Sequence, residues 1–149
     1  MVEAMIASLV VSLALAAGCP FSPPVEGPVE RQFAPQGKYA GHWGIDIGAP
    51  KGSEVRAIAA GTVTFSGVVA GRASITIDHG GGLRSSYSYL SARRVSKGVT
   101  VRSGAVIAAS GIDNEIEALH LSLRVGAIYI DPQRACGLLL PADALSLAS

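Results

Sequence analysis

From residue 20 onward the chain is built of short runs in which apolar and polar residues take turns, separated by glycine. Gly61 to Gly67 alternates with period two and is bounded by glycine at both ends. Ala73 to Asp78 repeats the pattern, with Ile75 and Ile77 on one face and Ser74, Thr76 and Asp78 on the other. Gly80-Gly81-Gly82 then supplies a turn, and Leu83 to Leu90 reads as the returning strand of a hairpin. Val99 to Val101 and Ala105 to Ala109 read as two further strands around Ser103-Gly104. Leu119 to Val125 alternates again: leucines 119, 121 and 123 face one way, and His120, Ser122 and Arg124 the other. No sustained helical period follows residue 20, although 138–147 fits a short helix or a loop. The pattern predicts an all-β fold, a single compact antiparallel domain of short strands.

The two ends read differently. Residues 4–18 form an apolar run without a charge, short for a membrane span and suited to the core of a secretory signal. The segment before it carries Glu3 and no Lys or Arg. Leu15-Ala16-Ala17-Gly18-Cys19 resembles a bacterial lipobox, with Ala16 where a Leu is usual. Residues 1–18 are therefore expected to be a signal peptide or lipoprotein signal, with Cys19 the lipidated residue in the second case. Contact with a membrane is expected only through that signal or anchor. Cys136 is the other cysteine, and it either stands alone or bridges to Cys19. Residues 19–31 are Pro-rich and read as an extended lead-in, 32–133 as the domain, and 134–149 as a C-terminal tail.

Composition narrows the field. Twelve Lys+Arg against 11 Asp+Glu give a net charge of +1, too balanced for a strongly basic nucleic-acid binder. With 49% hydrophobic and 15% charged residues the chain is not a disordered tail. Eighteen Gly and eight Pro argue against a helical bundle, and only eight aromatic residues leave the core to aliphatic side chains. Beyond residue 31 there are 11 Lys+Arg and eight Asp+Glu, an excess that suits an anionic polymer as well as an ordinary surface.

Three histidines, His42, His79 and His120, carry most of the candidate chemistry. His42 and Asp46 stand four residues apart, which within one strand or one helix puts both on the same face. His120 sits on the polar face of its strand. Two His and one Asp leave a fourth position open, the ligand number of a catalytic zinc site. Spacing alone is weak evidence, because H-x-x-x-D recurs by chance and a lone histidine on a strand is more often a solvated surface residue.

An ordered series of motifs says more. Gly41-His42-Trp43-Gly44-Ile45-Asp46 is followed by Ala49 to Ala57, Ala60 to Val63, Ile77 to Leu83, Val95 to Gly98, Val101 to Gly104, Leu119-His120-Leu121 and Tyr129 to Pro132. Taken together over residues 25–133, the series resembles the LytM/lysostaphin-type zinc metalloendopeptidases, which cut the peptide part of bacterial peptidoglycan. The resemblance implies zinc as cofactor and His42, Asp46 and His120 as its ligands. It also implies peptidoglycan stem or cross-bridge peptides as partners and a secreted or cell-envelope location. Two positions depart from the family pattern. Tyr87-Ser88-Tyr89 has Tyr89 where the family carries a catalytic His, and Ala118-Leu119-His120 has Ala118 in place of the other. Tyr89 can stand in only partly, because a phenol donates a hydrogen bond but is a poor base near neutrality. Glu115 and Glu117 are other candidate bases, although a strand reaching back to 117 would turn Glu117 away from His120. His79, before three glycines, reads as a turn residue.

The expectation is an exported, peptidoglycan-directed zinc endopeptidase domain with weak or lost hydrolysis. The alternative is a non-catalytic relative that binds cell wall or regulates another cell-wall hydrolase. A biotinyl- or lipoyl-type carrier would need a Lys at a hairpin tip in an M-K-M-like setting, and Lys97 sits in S-K-G.

Overall fold

The computed structural model describes residues 21–135. The signal at 1–18, Cys19, Cys136 and the helix-or-loop expectation for 138–147 lie outside the described residues. Among the described residues no helix is long and apolar enough to cross a membrane.

Among the described residues the structure is almost all β and antiparallel. Twelve strands follow one another: β1 (Val29–Arg31), β2 (Ala34–Gln36), β3 (Ala40–His42), β4 (Ile45–Gly48), β5 (Glu54–Arg56), β6 (Gly61–Val69), β7 (Arg72–Asp78), β8 (Leu83–Arg93), β9 (Thr100–Val101), β10 (Val106–Asp113), β11 (Ile116–Val125) and β12 (Ile128–Ile130). A single 3-10 turn, Pro132–Arg134, follows and is capped by the Asp131 carboxylate on the Gln133 N–H. The large sheet runs β1-β4-β11-β10-β8-β7-β6-β9, with β12 added on β11 and β5 on β10. Strands β2 and β3 form a separate hairpin.

The alternation read from the sequence is observed in β7 and β11, whereas in β6 a bulge between Val63 and Phe65 breaks it, so Val63 is buried and Phe65 lies exposed opposite Thr76. Ile75, Ile77, Leu119, Leu121 and Leu123 are fully buried, joined by Ile45, Val55, Ile58, Val63 and Ile107 in one aliphatic core. Each fully buried aliphatic side chain contributes about 1.5–3 kcal/mol. The aromatic exception is Tyr87, whose ring is wholly buried and whose hydroxyl accepts from the Ile58 N–H at 3.0 Å and bonds Ser85 at 2.8 Å. Burial pushes its phenol up to about 12. His79 ties the β7–β8 turn down, its ring bonded to the Ala60 carbonyl (2.9 Å) and the Ser85 hydroxyl (2.7 Å).

Three features go beyond the sequence reading. Strands of three or four residues, β1 to β5 and β12, are too short for period two to reveal. The Pro-rich stretch packs: Phe21, Val25 and Val29 lie against the core, and β1 pairs with β4. Finally, β10 runs to Asp113 and β11 starts at Ile116, so Asn114 and Glu115 alone turn the chain.

That turn generates a prediction. Asn114 and Glu115 both have positive φ, 50° and 70°, the signature of a type I′ hairpin. A left-handed backbone costs a side-chain-bearing residue about 1–2 kcal/mol and glycine almost nothing. Glu115→Gly should therefore raise stability by about 0.5–1 kcal/mol in urea unfolding; a loss of stability would show that the glutamate side chain holds the turn.

Candidate metal centre

His42, Asp46 and His120 come together from three strands. His42 ends β3, the chain bends at Trp43-Gly44, and Asp46 lies within β4. The four-residue spacing therefore does not work within one element, as the sequence suggested; it spans a bend between two strands. His120 is carried by β11 directly opposite Asp46. A side chain at Gly44 would collide with the Leu121 carbonyl oxygen and crowd the His120 ring, which is why the bend needs glycine.

The geometry is tight. Asp46 Oδ1 lies 3.1 Å from His42 Nε2 and 2.8 Å from His120 Nδ1. Three donor atoms, one from each residue, lie within 4.8 Å of one another. Donors about 2.1 Å from one ion stand roughly 4 Å apart or less, so a small inward rotation suffices. His42 Nδ1 lies 2.8 Å from the Gln32 carbonyl oxygen. A carbonyl accepts only, so Nδ1 carries the proton and Nε2 presents a lone pair to the centre. Burial pushes the Asp46 carboxyl up, but hydrogen bonds from His120 and Asp113 and the pull of the two neighbouring rings outweigh it and hold the group below its usual range, a carboxylate near neutrality. Two imidazole nitrogens and a carboxylate oxygen are a donor set suited to zinc.

Tyr89 reaches the same centre by an irregular route. In β8, Ser88 pairs with Ser74 and Leu90 with Ala73, so Tyr89 is the extra residue of a bulge. Its φ is 63°. The ring stands 6.0 Å from the His120 ring and 4.8 Å below the Arg72 guanidinium. Burial and the Asp113 charge raise its phenol above 10, against the pull of Arg72, so it is protonated near neutrality.

Glu115 lies exposed in the hairpin turn, and Glu117 is exposed with its carboxylate accepting from the Lys51 N–H at 2.6 Å. Neither joins the centre. The acidic residue that does approach it is Asp113, whose side chain is buried (4% exposed). Gly111 pairs with Ala118 and Asp113 with Ile116, so Asp113 shares a face with Ala118 and His120. The small Ala118 leaves that face open. Asp113 Oδ1 is buried without a hydrogen-bond partner. Burial and the neighbouring Asp46 carboxylate push Asp113 above its usual range, against the pull of His120. In the sequence it stands in an acidic stretch and reads as solvated. The signal that could have found it is the pair of small residues, Gly111 and Ala118, facing each other beside it.

Comparison with known proteins agrees with this architecture. Residues 40–132 match the model of peptidase family M23, and the chain belongs to that family. An uncharacterised protein of Mycobacterium tuberculosis is 36% identical over 124 residues, 77% of this chain and 49% of the relative. The chain thus spans about half the length of its mycobacterial relatives. The murein hydrolase activator EnvC of Escherichia coli is 38% identical over 115 residues, 74% of this chain and 27% of EnvC. Among solved structures, a zinc-containing peptidase from Vibrio cholerae superposes with a TM-score of 0.68 at 25% identity, covering 75% of this chain and 39% of that one.

Asp113 gives a pH-dependent prediction. Its folded-state value lies above the ordinary 3.8, so it costs stability once pH has risen through that folded value, and costs nothing well below 3.8. In metal-free protein, Asp113→Asn should stabilise the fold at pH 7, with the gain shrinking towards pH 4. A gain independent of pH would rule out carboxylate repulsion as its cause.

Proposed function

We propose that this M23 chain is a peptidoglycan-directed zinc endopeptidase domain of the cell envelope with weak hydrolytic power. The observation that supports the reading best is the convergence of His42, Asp46 and His120, with the His42 tautomer fixed by Gln32. Zinc, when bound, supplies a Lewis acid that polarises a carbonyl and lowers the pKa of a coordinated water towards about 7. The protein's part is to hold the ion with two neutral imidazoles and one ionised carboxylate and to orient a peptide in the groove beside them. Tyr89, protonated and beside His120, donates a hydrogen bond to charge developing on a carbonyl oxygen. It does not take up a proton near neutrality, and Ala118 has no group that could. A general acid–base group is worth about 10²–10⁴-fold in rate, so both replacements argue for slow turnover.

A second reading has its own support. EnvC, 38% identical over 115 residues, is a murein hydrolase activator. On that reading the chain binds cell wall or regulates another hydrolase, and the absent histidines are tolerated because no bond is cut.

Zinc content of the purified chain, paired with peptidoglycan digestion, separates the two. One zinc per chain and slow digestion are expected, with zinc lost in His42→Ala and Asp46→Ala. Tyr89→His with Ala118→His should raise digestion by more than either change alone, because groups that act as a unit are non-additive. A chain that holds no zinc at neutral pH belongs to the second reading.

A further inference from the structure

The polar face of the sheet next to the candidate centre is ordered in rungs across β7, β8 and β11. Ser74, Ser88 and His120 stand opposite one another in the first rung, and Thr76, Ser86 and Ser122 in the second. The third is Asp78, Arg84 and Arg124. Hydroxyls bridge the first two rungs, Ser74 to Ser88 at 3.0 Å and Thr76 to Ser86 at 2.8 Å. All of these residues except Asp78, which lies just beyond the edge, floor a groove of about 780 Å³ whose walls include Trp43 and Tyr129 and whose own lining contains no Asp or Glu.

The third rung is electrostatically incomplete. Arg84 and Arg124 are direct cross-strand neighbours, and like charges in that position repel. The nearest compensation is Asp78, 3.8 Å from Arg84 and already accepting from the Gly80 N–H at 2.9 Å. Arg124 has the face of Tyr129 at 5.9 Å and, among the described residues, no carboxylate partner. Two arginines paired across neighbouring strands, at the end of a groove lined without Asp or Glu, offer a receptor for a carboxylate, which arginine binds through paired N–H donors.

We propose that the groove selects extended peptides bearing a free carboxylate, caught between Arg84 and Arg124. Four residues along β11 separate His120 from Arg124, about 13 Å at strand rise. The carboxylate therefore belongs about four residues from the bond presented to the centre. This rests on the proposed function only in taking a peptide as the ligand of the groove.

The test uses the full chain, zinc-loaded, and fluorescence anisotropy with labelled pentapeptides. One peptide ends in a free carboxylate, the second in the amide, and the third in an amide with Asp at the last position. The carboxylate peptide should bind about tenfold or more tightly than the amide. Binding of the Asp peptide at the carboxylate level would show that side-chain carboxylates serve too; binding at the amide level would restrict the site to chain termini. Arg84→Gln and Arg124→Gln should each erase most of the preference while leaving amide binding in place, and Arg102→Gln, outside the groove, should not. Equal affinity for the carboxylate and amide peptides overturns the inference, as does loss of both together in a variant whose unfolding curve is unchanged, or binding of no peptide at all. Zinc content and digestion measured on the same protein report on the proposed function separately.

Discussion

A buried carboxylate must be compensated where it lies, and the compensation of Asp46 governs the rest of this structure. Asp46 sits in β4 with one imidazole arriving from the preceding strand and another from β11. For both to reach a single oxygen, β4 must pair with β11 in a register that sets Asp46 opposite His120, and the chain must bend sharply at Gly44. A slip of one residue would turn His120 into the leucine core and leave a charge buried alone, at a cost of several kcal/mol. The aliphatic core and the ion-pair geometry therefore demand the same register.

Much of this was legible beforehand, and the reason is period two. Leu119, Leu121 and Leu123 announced their face, and that phase also placed His120 on the opposite one. Ile75 and Ile77 did the same for β7. The ordered motifs placed Asp46 with the two histidines through family resemblance. What local pattern could not supply was how they meet, because a three-residue strand followed by a glycine bend leaves no periodic trace. Tyr89 was legible as a replacement but not as a bulge: nothing in tyrosine signals a backbone at φ 63°. Asp113 was hidden for a different reason, since its burial is set by two small residues, one on its own strand and one on the next.

Tyr89 and Asp113 together change the character of the centre. Where the family pattern has two imidazoles, which exchange protons near neutrality, this chain has a phenol that stays protonated and an alanine, with the Asp113 carboxyl, pushed upward by its burial and by Asp46, on the same face. The ligand side of the site is kept while its proton-handling side is chemically different.

The bond from His42 Nδ1 to the Gln32 carbonyl has a consequence for where the chain can be trimmed. Gln32 follows β1 directly, at the end of the Pro-rich stretch, and its carbonyl oxygen reaches the centre through the His42 ring. A shortened protein beginning after Gln32 would keep all three donor side chains and lose the acceptor that chooses the tautomer. The imidazole would then be free to carry its proton on Nε2, the nitrogen that faces the ion. Such a fragment would also lose β1 beside Asp46, so it would hold an ion more weakly with every donor side chain still in place.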